Sequence, residues 1–318
     1  MAGGVCRRRR SNLQCFLSRI TPSVMSYSLP KSRFQDGSEP WPPVSKDTVG
    51  CFTLGDLWDN YNEWSAYGAG SPILLNNGET VVQYYVPYLS AIQIYTNKPS
   101  SVLRNSGEDS ETDSWSDDSE SEKPSRSWDA VSDDSGGDLD SVWPGKDRLG
   151  HLYLHYVENT SPYGRVPLMV KVNELSQQYP GLMSLKSVEL SPASWMSVAW
   201  YPIYHIPMRR NVKDLSACFL TYHTISSSFQ DSIIGDTMEN DSCCCIPGKT
   251  RTKLNETSDY ISLPPFGLAT YKMQGNLWMD PETGDHERVI RLFNAADSWL
   301  KQLRVRHHDF NYFSTHSM

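Results

Sequence analysis

The chain has 318 residues, 38% hydrophobic and 11% aromatic, enough apolar surface to build one large core, so a single domain is expected. Its formal charge of −8 argues against a broad nucleic-acid-binding face, which needs basic residues to neutralise phosphates. That charge is unevenly held: residues 106–140 carry thirteen acidic side chains against Lys123 and Arg126, a net of −11, which leaves +3 on the remainder.

Residues 1–11 read as a disordered basic tail in which Arg7, Arg8, Arg9 and Arg10 form a cluster that a nuclear importer or an acidic surface could read. A nuclear or cytoplasmic location is expected ahead of a plastid or mitochondrial one. No apolar run approaches the roughly twenty residues of a membrane span, so no membrane association is expected. Seven cysteines without paired zinc spacing fit reduced thiols.

Leu54, Leu57, Trp58, Tyr61 and Trp64 fall at helical spacing with Asp56, Asp59 and Glu63 opposite them and Gly68 placed to end the helix. The β-branched and aromatic run 80–96 predicts two strands, or one strand broken at a bulge, with Pro87 as the divider. Residues 98–146 are dominated by Ser, Asp, Glu and Gly, too poor in apolar surface to offset the entropy of ordering. They predict a disordered insertion into one discontinuous domain formed by 12–97 and 147–306. Helical patterns are expected over 149–158, from Pro167 onward, and from His286 along the apolar stripe Val289, Leu292, Phe293, Ala296, Trp299, Leu300 and Leu303. Further strands are predicted around 197–206, from Cys218 and from Phe266, with a long cysteine-containing surface loop over 226–258 and a C-terminal tail over 307–318. The aromatic stretch "WMSVAWYPIYHIP" at 195–207 places apolar residues on both faces of its strand, which predicts burial on both sides, with Pro202 marking an edge, bulge or break.

These elements alternate too irregularly for a doubly wound fold. They predict an α+β domain whose antiparallel or mixed sheet of about five strands packs against amphipathic helices, with a partly parallel α/β sandwich as the alternative.

The signatures of chemistry are sparse. "PGKT" at 247–250 has Cys243 where a phosphate-binding loop needs glycine, and "SLPK" at 28–31 lacks the partner motifs of a serine–lysine enzyme. His151 and His155 are four apart, a metal-binding spacing if helical, but surface histidines explain them as well. His205 and His223 could meet across a sheet, and with Asp56 they are the weak candidates for proton transfer; the competing reading is a satisfied structural histidine and a solvated helix face. No metal site and no cofactor is expected. Ser106, Ser110, Ser114, Ser119 and Ser135 each have an acid three residues downstream, the pattern read by acid-directed kinases of the casein-kinase-two type.

Several stretches taken together, "SNLQCFLSRITPSV", "FTLGDLWDNYNEWSAYGAGSPILLNN", "VVQYYVPYLSAIQIY", "YPGLMSLKSVELSPASWMSVAWYPIYHIP", "DLSACFLTYHTI" and "LPPFGLATYKMQGNLW", resemble the plant domain-of-unknown-function family numbered 789. The resemblance runs from about residue 11 to 300. It implies a plant protein with an acidic serine-rich interruption and carries no established activity or catalytic residue. It also implies arginine more often than histidine at position 205, which weighs against a His205–His223 metal pair.

The leading functional expectation is a non-enzymatic protein-interaction module whose acidic loop is phosphorylated and recruits an unknown, basic protein partner. An enzyme of hydrolase or transferase type, with an aromatic-lined pocket and a His or Asp acid/base, is the second reading. Single-stranded nucleic-acid binding ranks third, because only Arg209 and Arg210 flank the aromatic stretch at 195–207.

Overall fold

The computed structural model describes residues 10–30, 48–97, 149–203, 215–228 and 260–316. In chain order the elements are α1 (Asn12–Ile20), β1 (Ser23–Met25), β2 (Tyr27–Pro30), β3 (Thr48–Cys51), α2 (Leu54–Tyr67), β4 (Ala69–Leu74), β5 (Thr80–Thr96) and β6 (His151–Val157). They continue with α3 (Leu168–Gln178), α4 (Gly181–Ser184), β7 (Trp195–Pro202), β8 (Cys218–Thr224), β9 (Tyr260–Ser262), β10 (Gly267–Tyr271), α5 (Gly275–Trp278), α6 (Asp285–Gln302) and α7 (His308–His316). The acidic insertion and nearly all of the cysteine-containing loop lie outside the described residues.

The architecture is α+β. Six strands form one open sheet in the order β10-β8-β7-β5-β4, with β6 also on β5, and every pairing in it is antiparallel. The six strands fit the expected sheet of about five, and among the described residues it has no parallel pair. Residues 80–96 form one strand rather than two, while β4, for which no element was predicted, and β6, over residues predicted helical, both pair with β5; a register shift opposite Leu152 and Leu154 keeps the burial of β6 from alternating strictly. Two short antiparallel pairs, β1–β9 and β2–β3, stand outside the main sheet.

Both faces of the sheet are buried at its centre. Met196, Val198 and Trp200 of β7 join Tyr85 and Ile92 of β5 in a core closed by Phe16 of α1, Trp58 and Tyr61 of α2 and Trp278 of α5. On the opposite face, Trp195 and Ala199 join Leu220 and Tyr222 under Ala296 and Leu300 of α6 and Phe310 and Phe313 of α7. Residues 307–316, expected as a tail, thus supply part of the second helical layer. The first layer begins with α1, capped by Ser11, whose hydroxyl accepts from the Gln14 N–H at 3.2 Å.

β5 runs unbroken through Pro87. Its C=O at Tyr84 accepts from the Ile203 N–H on the β7 side, so alternation turns the Pro87 nitrogen to the other side. There β4 has ended, at Tyr85, and β6 has not begun, at Ala91, so no strand requires the missing donor. Pro202 obeys the same rule: its nitrogen turns toward β8, beyond the last β7–β8 pair at Trp200 and Phe219. The irregularity in β5 falls instead at Ser90, an extra residue between Leu89 and Ala91 opposite the consecutive Val198 and Ser197.

The β4 edge is closed by a side chain. Asn12 accepts from the Leu74 N–H at 2.8 Å and donates to the Leu74 and Leu277 carbonyls at 2.9 and 2.7 Å. Pro72, two residues back and turned the same way, offers no donor. Asn12→Ala would strand these buried groups, so we expect a loss of roughly 2 kcal/mol, read as a lower urea midpoint with an unchanged slope. An unaltered midpoint would show that Asn12 contributes nothing to the edge.

Candidate functional site

The bulge at Ser90 aims its hydroxyl into the layer beneath α7, where five polar side chains meet. His307 immediately precedes α7, Asp309 lies in its first turn, Tyr222 comes from β8, and Arg165 follows a short 3₁₀ turn at Pro162–Gly164. All are buried: Ser90 is 0%, His307 1% and Asp309 3% exposed, and Arg165 is at 9%.

Ser90 Oγ lies 2.8 Å from His307 Nε2 and 2.5 Å from Asp309 Oδ2, while Tyr222 Oη lies 2.7 Å from His307 Nδ1. Arg165 grips Asp309 with two bonds of 2.6 Å and donates from Nε and Nη2 to the Thr160 carbonyl at 3.0 and 2.8 Å. Burial pushes the His307 imidazole down to about 4, so it is neutral near pH 7. Burial would raise the Asp309 carboxyl, but the Arg165 guanidinium overrides it and holds it below the ordinary carboxylate value.

One assignment gives every contact one proton. Asp309 is ionised and accepts from the Ser90 hydroxyl; Ser90 Oγ accepts from His307 Nε2–H; His307 Nδ1 accepts from the Tyr222 hydroxyl. The residues are those of a serine–histidine–aspartate triad, but the protons run the opposite way. A nucleophilic serine needs its histidine to accept its proton and the aspartate to hold the far ring nitrogen. Here Asp309 takes the serine proton directly and tyrosine holds the far nitrogen. The cluster is a latch that fixes α7 to the sheet, and Trp195 closes it by stacking on Tyr222 at 5.8 Å between ring centroids.

The residues singled out from sequence do not meet here. His223 faces the opposite core, fully buried, with Nδ1–H donating to the Leu263 carbonyl at 2.9 Å and Nε2 accepting from Thr221 Oγ1 at 2.9 Å. Thr221 in turn accepts from Trp200 Nε1 at 3.0 Å, so each polar atom in that chain has a partner. Burial lowers His223 to about 4 as well. Asp56 closes a capping box at the start of α2, accepting from the Thr53 N–H at 2.8 Å and the Thr53 hydroxyl at 2.7 Å. His151 and His155 lie on β6 rather than a helix, about 13 Å apart along the strand, too far to share a metal. His155 Nδ1 instead meets Gln93 Nε2 at 2.7 Å. His205, the five candidate serines Ser106, Ser110, Ser114, Ser119 and Ser135, and Arg7, Arg8 and Arg9 lie outside the described residues; Arg10 is half-buried just before α1. Among the described residues no group of three or more His, Cys, Asp or Glu could hold a metal ion. Also among them, no helix is long and apolar enough to cross a membrane.

Sequence reasoning missed the latch because its members are scattered over positions 90 to 309. The one local signal was "HHDF" at 307–310, two histidines and an aspartate before an aromatic at the start of an amphipathic turn. Two consequences are measurable. Asp309→Asn would leave the buried Arg165 without a counter-charge and is expected to cost roughly 3–5 kcal/mol in denaturant unfolding. Both buried histidines are depressed to about 4, against an unfolded value near 6.5, so the unfolded chain binds protons first as pH falls. Stability should therefore drop between about pH 6.5 and 4, and His307→Phe should shallow that slope by about one proton. A flat profile across that window would contradict the neutral, buried assignment.

Comparison with known proteins adds a family and no activity. No curated protein and no solved structure matches the chain. Residues 11–313, nearly its whole length, match the family described as "Protein of unknown function (DUF789)". The chain belongs to that family.

Proposed function

We propose that this protein is a non-enzymatic interaction module that displays its acidic, serine-rich segment to a basic protein partner under the control of phosphorylation. The observation that carries this reading is where the segment is attached. Thr96 at the end of β5 pairs with His151 at the start of β6, so the acidic residues leave and rejoin the fold at one point on adjacent strands. Additions of charge there need not disturb either core, and loop-closure cost grows slowly with length. The reading is supported also by the closed latch, whose proton order suits fixing a helix rather than activating a serine.

Phosphates on Ser106, Ser110, Ser114, Ser119 and Ser135 would together add about −8 to −10 of charge. The test uses purified full-length protein, treated or not with an acid-directed kinase, and a fluorescent arginine-rich peptide followed by anisotropy. We expect phosphate at these serines by mass spectrometry and tighter, salt-sensitive peptide binding after treatment. Replacing residues 98–146 by a short Gly-Ser turn should abolish that binding and leave the thermal melt unchanged. Equal binding with and without the segment would refute the proposal.

A further inference from the structure

α7 is amphipathic in an unusual sense. Phe310 and Phe313 point into the core, while the side turned to solvent carries His308, Tyr312 and His316, spaced four residues apart and so aligned along about 12 Å of helix. Tyr312 is 41% exposed and the His308 side chain 58%, and His316 is exposed. Tyr312 stacks on His316 with 4.4 Å between ring centroids and 24° between planes, and meets Tyr271 of β10 edge-on at 5.3 Å. Lys272 holds its ammonium 5.0 Å from the centre of the Tyr271 ring.

Along α7 and the connection that leads into it, no exposed side chain is acidic. Arg304 and Arg306 are exposed in the connection that leads into α7. The sole acid of the helix, Asp309, is buried and neutralised by Arg165. An exposed helix face has no structural need for stacked rings, and solvated charge is the usual occupant. Rings that present π-faces beside cations are instead the elements from which single-strand binding surfaces are built.

We propose that this strip binds single-stranded nucleic acid, with bases stacking on Tyr312 and Tyr271 and phosphates meeting Lys272, Arg304, Arg306 and His308. The proposal is independent of the acidic segment's role. A duplex, its bases already stacked on one another, could use the cations but not the rings, which makes single strands the preferred ligand. A phosphorylated peptide would likewise engage only the charge.

The experiment measures anisotropy of labelled oligo(U) and oligo(dT) of about 12 nucleotides, within the usual site range, on the full-length protein from low to high salt. A duplex of equal length and a phosphoserine peptide serve as competitors. We expect single strands to bind in preference to both. Tyr312→Ala should weaken binding roughly tenfold and Tyr312→Phe should retain it. Lys272→Gln should reduce the slope of log affinity against log salt by about 0.7, the loss of one phosphate contact. Thermal melts of each variant establish that the fold is intact. Absence of binding at low salt, equal affinity in Tyr312→Ala, or preference for the phosphopeptide would each overturn the proposal.

Discussion

The structure hangs on β5. A strand of 17 residues is long for any sheet, and this one pairs with β7 along one edge while β4 and then β6 take turns on the other. Because both of its faces are buried or half-buried from Tyr85 onward, β5 must be covered there by helices on each side, and the chain supplies them from opposite ends. α1 and α2 come mainly from the N-terminal part, and α6 and α7 from the C-terminal part. Neither helical layer can be removed without exposing one face of the central strand. The bulge at Ser90 is where β5 departs from regular pairing with β7, and it is the place from which the polar latch to α7 is built.

The latch explains how a C-terminal segment of modest apolar content stays docked. α7 contributes Phe310 and Phe313 to the core, but its orientation is specified by directional contacts: the two-bond grip of Arg165 on Asp309 and the chain of hydroxyl and imidazole behind it. Taking an aspartate and an arginine out of water is costly, and the cost is offset only because both are nearly saturated with partners. Such a group can be held only in one arrangement, which gives it more value for specifying a structure than for adding to its stability.

Much of this fold was legible in the sequence, and the limits have physical causes. Periodicity located α2, α3 and α6, and β-branched or aromatic density located β5, β7, β8 and β10, because those elements are long or two-sided enough to leave a pattern. β6 read as a helix because the register shift opposite Leu152 and Leu154 breaks the strict alternation by which a strand is recognised, and only its pairing with β5 decides the element. α7 is nine residues long, too short for its two buried phenylalanines to establish a repeat. The latch was illegible for a different reason: Ser90, Arg165, Tyr222 and His307 are brought together by topology, and no spacing along the chain records that. His223 stood out because it lies in an aromatic strand, and the same strand is what buries it and occupies both its ring nitrogens.

Pro72, Pro87 and Pro202 each turn the ring nitrogen toward a side where none of the described strands runs: the outer edge, the gap between β4 and β6, and the space past the end of β8. Side chains and backbone donors both alternate with a period of two, so sliding β7 by one residue along β5 would bring a proline nitrogen into the ladder and also exchange the two cores. The prolines therefore act as register marks. A misaligned sheet loses a hydrogen bond at the same step at which it turns Trp200 and Tyr201 to the wrong sides, so the correct alignment is distinguished by backbone and side chains together.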